Sequence, residues 1–314
     1  MNVEQFCSAS RIVVLAGKGG VGKTTVTAAL ATAAARAGAS VLIVEVEGKS
    51  GLATALGCPP LTYEEQPVRE RLRVRTLTPD EALREYLEDR GLHRISRRLM
   101  KSGALDVVAT AVPGMKDILV LGKVKQLERA NEADLILIDA PAAGHAINFL
   151  LSPRGLLDAV RVGPVRAQAE DVIELLSDPA RCRVALVTLP EETPVNELVD
   201  TAFALEDRVG VKLAPVIVNA VPDDLPIDGH RAGGDAAEAG VAVTTSEAEA
   251  LDAAAGFRNE RHALALEQAA RLADRLPLPQ LHLPYVFGEI GPADVEVLAD
   301  ALTAGIATLP APSS

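Results

Sequence analysis

Two hydrophobic patterns alternate along the chain. Short runs rich in Val, Ile and Leu are separated by longer segments whose apolar residues recur at helical spacing. The short runs predict strands at 11–16, 41–46, 72–77, 134–139, 183–189, 214–220 and 280–284. Because these runs are apolar at nearly every position, both faces of each strand should be covered. The pattern therefore predicts an α/β fold with a mainly parallel central sheet and helices on both faces.

Local signals indicate where some helices begin and where the chain is irregular. The stretch TPDE (78–81) combines an N-cap threonine, a proline at the first helical position and an acid three residues after the cap. Pro292 is expected to open the last helix. The Asp-, Gly- and Ala-rich segment 222–245 is predicted to be a mobile surface loop. Neither a repeat nor a linker divides the chain, which predicts one domain over residues 1–314.

Composition excludes several classes of protein. The net charge of −12 argues against a general nucleic-acid binder, which needs clustered Lys and Arg. Cys7, Cys58 and Cys182 are far apart and form no CxxC, so they are interpreted as reduced thiols of a cytoplasmic protein, without a disulfide framework or zinc site. No signal peptide or membrane-spanning run is recognisable.

The stretch GKGGVGKTT (17–25) follows an apolar strand and precedes an alanine-rich segment. In this context glycines let backbone N–H groups surround phosphate oxygens at a helix N-terminus. Lys23 should reach the β- and γ-phosphates of ATP, and Thr24 should ligate Mg²⁺. The alternative is a glycine-rich turn without a ligand. The predicted nucleotide-binding residues of this loop are Gly17, Gly19, Gly20, Val21, Gly22, Lys23, Thr24 and Thr25.

Asp139 is a candidate for the carboxylate that acts on the Mg²⁺ of a nucleotide bound at this loop. It follows the run LILI, which brings it to the carboxyl edge of the sheet, where open α/β sheets bind ligands. The alternative is an ordinary turn residue. The loop also contains Lys18, a second lysine that the phosphate motif does not require.

These residues resemble a known family. GKGGVGKTT is similar to the deviant phosphate loop of the signature-lysine NTPases, which include MinD, ParA, the nitrogenase iron protein and the arsenite-pump ATPase ArsA. IDAPAAGHAINFL (138–150) is similar to the second switch of ArsA and of the tail-anchored-protein targeting ATPase. Further similar segments follow in order at 113–124, 189–198, 216–219 and 283–291. The chain is identified as a single-domain bacterial member of this ArsA-like P-loop NTPase family.

The resemblance implies roles for several residues. Lys18 would reach across a dimer to the partner's nucleotide, although it could also be a solvated loop lysine. Asp139 would hold the water shell of Mg²⁺, and Gly144 would sense the γ-phosphate. His145 would either belong to the switch or satisfy backbone groups. Glu191 would contact the partner subunit near its loop.

The resemblance also implies a base pocket and a helical subdomain. Asn219 would hydrogen-bond the adenine edge, and Pro284, Tyr285 and Val286 would pack on the ring. A helical subdomain for a client or partner would span about 79–130 and 150–182.

The first switch departs from the family pattern. Glu47 occupies the position of the aspartate that positions the attacking water, and Gly48 and Lys49 replace the Pro-Ala that should follow. A glutamate carboxylate lies one methylene further out, and a positioned base contributes roughly 10²–10⁴-fold. Hydrolysis could therefore be slow, or Glu47 could be an ordinary acidic turn residue.

The region expected to bind a client or cargo also departs from the family pattern. No cysteine pair or cluster is present for zinc or arsenite, so arsenite transport is not expected. Only Met100 and Met115 fall within 79–128, where client-binding members have a methionine-rich groove. The basic segment 93–101 could dock an acidic partner or lipid headgroups, or it could be a solvated helix face.

The sequence therefore predicts a Mg²⁺-dependent ATPase that works as a nucleotide-switched dimer and drives or controls a protein or membrane partner. The dimer could be a homodimer or a heterodimer with a paralogue. The alternative is a regulatory subunit that binds ATP with little hydrolysis. Membrane or DNA organisers of the MinD or ParA type fit poorly, because the chain ends without a basic amphipathic helix and is acidic. The expected location is cytoplasmic, peripheral to a membrane only through a partner. The sequence does not identify the client.

Overall fold

The computed structural model of the chain describes residues 1–46, 51–89, 91, 93–94, 114–141, 144–224 and 231–310. Glu47, Met100 and most of the basic segment 93–101 lie outside these residues, so the predictions made for them stay predictions.

The described residues form strands at the predicted runs, with two more that the pattern did not predict. The strands are β1 (Ile12–Ala16), β2 (Val41–Val46), β3 (Gln66–Arg69), β4 (Leu72–Leu77), β5 (Leu135–Asp139), β6 (Cys182–Thr188), β7 (Lys212–Leu213), β8 (Val216–Val221) and β9 (Gln280–Pro284). The unpredicted strands are β3 and β7. β3 is a short, partly exposed strand that contains a proline, and β7 has only two residues, so neither carries an apolar run.

The helices lie between the strands. They are α1 (Val3–Cys7), α2 (Lys23–Arg36), α3 (Leu52–Leu56), α4 (Pro79–Asp89), α5 (Met115–Ala130), α6 (Gly144–Ala159), α7 (Pro164–Ser177), α8 (Glu192–Arg208), α9 (Ala232–Glu238), α10 (Thr245–Arg275) and α11 (Pro292–Thr308).

The sheet is parallel except at one edge. Its order is β3-β4-β2-β5-β1-β6-β8-β9, with β7 paired to β6, and only the β3–β4 pair is antiparallel among the described strands. Parallel sheets need cover on both faces, which agrees with the continuous apolar runs. The predicted α/β architecture is confirmed.

Two hydrophobic cores lie on opposite faces of the sheet, because successive residues of a strand point to opposite sides. In β1, Val13 and Leu15 belong to the core beneath α2, α3 and α11. Ile12 and Val14 belong to the core beneath α5, α6, α7 and α8. The phosphate-loop strand is thus buried on both faces and fixed in position.

Both predicted helix starts are confirmed. Helix α4 begins at Pro79, and the backbone N–H of Glu81 donates to Thr78 Oγ1 at 3.4 Å. Helix α11 begins at Pro292. The loop prediction for 222–245 is wrong over 232–238, which forms α9. The backbone N–H of Ala232 donates to Asp252 on α10 at 2.8 Å, so α9 begins at a tertiary contact that local sequence does not reveal.

Helices α4 to α7 form a packed group beside the sheet. Helix α4 packs on α5, which also contacts α6 and α7. They overlap the ranges predicted for a helical subdomain, 79–130 and 150–182, although α6 begins earlier, at Gly144. The role of this subdomain as a client surface stays a prediction. In the part of the chain that the structure describes, no helix has the length and apolar character needed to cross a membrane.

Candidate functional site

The candidate site lies at the carboxyl end of β1, where the loop 17–22 leads into α2. Strand β1 is central, and the strands that follow it along the chain lie first on one side of it and then on the other. In open α/β sheets such a reversal of strand order opens a crevice at the carboxyl edge, where ligands bind. The N-terminus of α2 points into this crevice with its free backbone N–H groups.

The glycines of this loop allow close backbone approach. A Cβ atom on Gly17 would lie 2.2 Å from the carbonyl oxygen of Val187 on β6. Gly22 has φ of 86°, and a Cβ atom there would lie 2.2 Å from Asn219 Nδ2. The same Nδ2 donates to the carbonyl oxygen of Val21 at 3.0 Å. Strands β6 and β8 therefore hold the loop in a shape that only glycine permits at these positions.

Lys23 begins α2 and is almost fully buried. Its Nζ donates to the carbonyl oxygens of Gly17 and Lys18, each at 3.1 Å. Burial lowers the pKa of Lys23, and the negative charge of Asp139 partly opposes this shift. Phosphate oxygens at the loop would stabilise the charged ammonium in the same place, because opposite charges favour the ionised form.

Thr24 and Asp139 meet across the site. Thr24 Oγ1 donates to Asp139 Oδ2 at 2.7 Å, and Asp139 is 3% exposed. A hydroxyl and a carboxylate are the oxygen ligands that Mg²⁺ prefers, so the residues fit the ion. No group of three His, Cys, Asp or Glu among the described residues could hold a metal by itself. Mg²⁺ sites typically keep several waters and are completed by substrate phosphates.

The side chain of Lys18 contacts α8. Lys18 Nζ donates to Glu197 Oε1 on α8 at 2.6 Å. The two side chains are 39% and 46% exposed and lie at a cavity of about 390 Å³ between the loop, α6 and α8. The lysine that the phosphate motif does not need is therefore at the surface and paired within its own chain.

A larger cavity of about 810 Å³ lies where the loop after β9 faces α10 and the start of α8. The chain has only five Phe and three Tyr, yet Phe257, Tyr285 and Phe287 all line this cavity. Tyr285 and Phe287 pack edge to face with centroids 4.9 Å apart, and the Arg258 guanidinium lies 5.2 Å from the Phe287 centroid. Aromatic and Arg faces of this kind stack on planar rings.

Two of the predicted base and partner residues line this cavity. Tyr285 and Glu191 line it, and the backbone N–H of Tyr285 donates to Val221, which ties the loop to β8. Asn219 on β8 is buried against the phosphate loop. Glu191 is exposed and accepts from Arg261 at 3.4 Å.

Five further predicted residues either have a position in the structure or lie outside its described part. Pro284 ends β9 and Val286 packs on the core beneath α2. Gly144 is the first residue of α6. Glu47 and the side chain of His145 lie outside the described parts of the molecule.

Sequence reasoning did not find Glu197, Arg258, Arg261 or Phe287. Glu197 stands in an ordinary helical pattern, and its partner Lys18 lies 179 positions away. Phe287 lies two residues beyond the predicted Tyr285, in the segment LPYVFGEIG (283–291) that resembles the family, so its aromatic character was an available signal.

Comparison with known proteins agrees with this geometry. The profile of the family described as anion-transporting ATPase matches residues 10–162. The chain is similar to ATPase BagA of Mycobacterium tuberculosis, with 34% identity over 94% of this chain and 93% of that protein. It is also similar to ATPase get3 of Schizosaccharomyces japonicus, with 28% identity over 47% of this chain and 45% of that protein. Protein Rv2184c of Mycobacterium tuberculosis is 28% identical over 67% of this chain and 59% of that protein.

Proposed function

Because this chain belongs to the anion-transporting ATPase family, we propose that it is a Mg²⁺-dependent ATP hydrolase that works as a nucleotide-switched dimer. Its cycle would drive or control a protein or membrane partner. The observation that carries the proposal is the pairing of Thr24 Oγ1 with Asp139 at 2.7 Å, directly beside the buried Lys23. Together these groups supply an oxygen-lined cation site next to a phosphate-binding loop.

The β- and γ-phosphates bind at the loop 17–22 and the N-terminus of α2. Backbone N–H groups donate to the phosphate oxygens, and Lys23 exchanges its carbonyl acceptors on Gly17 and Lys18 for phosphate. Thr24 and Asp139 would hold Mg²⁺, Asp139 through a water molecule. Bound Mg²⁺ supplies charge neutralisation for the transferred phosphoryl group. Gly144, at the start of α6, would sense the γ-phosphate.

The adenosine moiety extends toward the cavity of about 810 Å³. One N–H of the Asn219 amide donates to the carbonyl oxygen of Val21, so its second N–H and its carbonyl oxygen are the groups that would read the adenine edge. Pro284, Tyr285 and Val286 pack on the ring. Asn219 then links base recognition to the conformation of the phosphate loop, because one side chain contacts both.

Lys18 acts in trans in this proposal. Its side chain leaves Glu197 and reaches the nucleotide of the partner subunit, near the partner's Pro-Glu segment that contains Glu191. An arginine supplied in this way is worth roughly 10³–10⁵ in rate, and a lysine in the same place gives the same kind of charge stabilisation. An isolated subunit should therefore be almost inactive.

A second function is favoured by one sequence feature, Glu47 in the first switch. A chain whose water-positioning residue is displaced could bind ATP and hydrolyse little, as a regulatory subunit or as one half of a heterodimer with a paralogue. The described free cysteines lie on α1, after α3 and on β6, which gives no support to arsenite transport. The client or membrane partner is unidentified, and no nucleic acid is expected.

Steady-state ATP hydrolysis with Mg²⁺ over a range of protein concentrations tests the proposal, with wild type compared with Lys18→Ala and Glu47→Gln. The proposal predicts turnover that rises steeply with concentration and collapses in both variants. ATP binding without turnover in the wild type would favour the regulatory subunit. Absence of nucleotide binding would contradict both functions.

A further inference from the structure

Glu45 is a buried carboxylate that the mechanism above does not use. It lies next to the last residue of β2 and is 3% exposed. The hydroxyl of Thr76 on β4 donates to Glu45 Oε2 at 2.9 Å. A carboxylate this far from bulk water is costly to bury unless charges and hydrogen bonds around it compensate.

The strand register places Glu45 beside Asp139. Glu45 pairs with Asp139 across β2 and β5, and with Thr76 across β2 and β4. Neighbouring strands are about 4.8 Å apart, and paired residues project from the same face. Two carboxylates therefore project side by side at the carboxyl edge of the sheet.

Both carboxylates face α2. Val41 and Ile43 of β2 belong to the core beneath α2, as do Leu135 and Leu137 of β5. Continuing this alternation by two residues puts Glu45 and Asp139 on the same side. Thr24 of α2 donates to Asp139 on this side, so both carboxylates lie on the side where the Mg²⁺ of the proposed function would bind.

We propose that Glu45 is a second positioning residue for the Mg²⁺ of the bound nucleotide, an inference that rests on the proposed function. Its carboxylate accepts hydrogen bonds from waters on the metal beside Asp139, and Thr76 fixes its orientation. Mg²⁺ keeps several waters when it binds, and the partners of those waters tune the site. The charge of the cation also offsets the cost of a second buried carboxylate.

Calorimetric titration of ADP into the full-length protein tests this, first in EDTA and then at a series of Mg²⁺ concentrations. Glu45→Gln should raise the Mg²⁺ concentration that half-maximally enhances ADP affinity by about tenfold or more, the cost typical of such partners. The affinity for ADP in EDTA should stay unchanged. Thr76→Val should shift the Mg²⁺ response in the same direction by a smaller factor. Exposed Glu132→Gln is the matched control and should respond as wild type.

The outcomes separate this inference from the function on which it rests. If the wild type binds no ADP in either condition, the proposed function fails and the inference falls with it. If the wild type binds ADP with Mg²⁺ and Glu45→Gln shows the same Mg²⁺ response, the inference alone is overturned. If Glu45→Gln does not fold, Thr76→Val decides, and a wild-type Mg²⁺ response in that variant overturns the inference.

Discussion

Lys18 of the phosphate loop and Glu197 of α8 form an ion pair within one chain, with Lys18 Nζ 2.6 Å from Glu197 Oε1. Both side chains are partly exposed, and a pair of this kind contributes about 0–1 kcal/mol. Glu197 can therefore hold the lysine in place in a single chain without preventing its transfer to a partner's nucleotide. The same weak contact competes with the arrangement that the proposed dimer needs.

Glu197→Gln should raise ATP turnover at low protein concentration. The lost contact is worth at most about 1 kcal/mol. Because about 1.36 kcal/mol corresponds to a tenfold change in rate, turnover should rise by up to roughly fivefold. Turnover at several protein concentrations measures this.

Asp200→Asn is the control for Glu197→Gln. Asp200 lines the same cavity, so this variant removes a carboxylate while leaving the Lys18–Glu197 pair intact. Its turnover should match wild type. Glu197→Gln could instead lose as much turnover as Lys18→Ala. That result would contradict a Lys18–Glu197 contact that competes with the dimer arrangement, and it would mean that Glu197 orients Lys18 for catalysis.

Gly22→Ala should be more destabilising than Gly20→Ala. Both glycines have left-handed φ, 86° and 85°, so a side chain at either costs about 1–2 kcal/mol of strain. A Cβ atom on Gly20 meets open space, whereas one on Gly22 lies 2.2 Å from Asn219 Nδ2. Gly22→Ala must therefore also displace Asn219 from Val21. Urea unfolding measures the difference, and equal losses in the two variants would contradict the described contact.

Thr24→Val should raise the Mg²⁺ requirement and lower turnover by about tenfold or more, because the hydroxyl that pairs with Asp139 is removed. Turnover as a function of Mg²⁺ concentration measures this. An unchanged Mg²⁺ dependence would show that Thr24 does not act on the metal.

Thr32→Val is the matched change on the same helix. The Thr32 hydroxyl is fully buried and has no hydrogen-bond partner in the described part of the chain. Replacing it with a methyl group should leave turnover unchanged and raise the free energy of unfolding by about 1 kcal/mol. Urea unfolding measures this, and a destabilised variant would contradict it.

Much of the fold was predictable because the relevant information is local. Buried parallel strands need continuous apolar runs, and those runs are visible in the sequence at β1, β2 and β5. Helix starts at Pro79 and Pro292 follow from local capping chemistry. The unpredicted β3 pairs only at the sheet edge, and α9 begins where Asp252 accepts from Ala232, so both depend on contacts between distant segments.

The candidate site divides in the same way. The loop 17–25 is contiguous, and Asp139 ends a recognisable strand, so both could be predicted as site residues from the sequence. Glu45 was not predicted as a site residue, because its position beside Asp139 depends on the register between β2 and β5. The pairing of Asn219 with Val21 likewise joins residues 198 positions apart, which no local pattern reveals.

Two buried thiols should make the protein less stable at alkaline pH. Burial raises the pKa of Cys7 and Cys182 from 9.0 to about 12. The folded state therefore keeps these protons between pH 9 and pH 12 while the unfolded state releases them. The stabilisation is fully present below pH 9 and is lost as pH rises toward 12, by about 1.4 kcal/mol per pH unit for each thiol.

Cys182→Ala should remove one of these two contributions. Urea unfolding under reducing conditions between pH 8 and about pH 11 should give a shallower fall in the free energy of unfolding than in wild type. The cavity left by the smaller side chain changes the free energy of unfolding of the variant at every pH. The informative quantity is therefore the slope of that free energy against pH. Equal slopes in the variant and the wild type would contradict the raised pKa of Cys182.

The central claim is that Lys18 acts on the nucleotide of the partner subunit, and complementation between two inactive variants tests it most directly. Lys18→Ala keeps its own phosphate site, and Lys23→Ala keeps Lys18. When they are mixed in equal amounts, half of the dimers are mixed and one site in each is complete, so turnover should recover to about one quarter of wild type. No recovery above the sum of the separate variants, with mixed dimers demonstrably formed, would contradict a lysine supplied in trans.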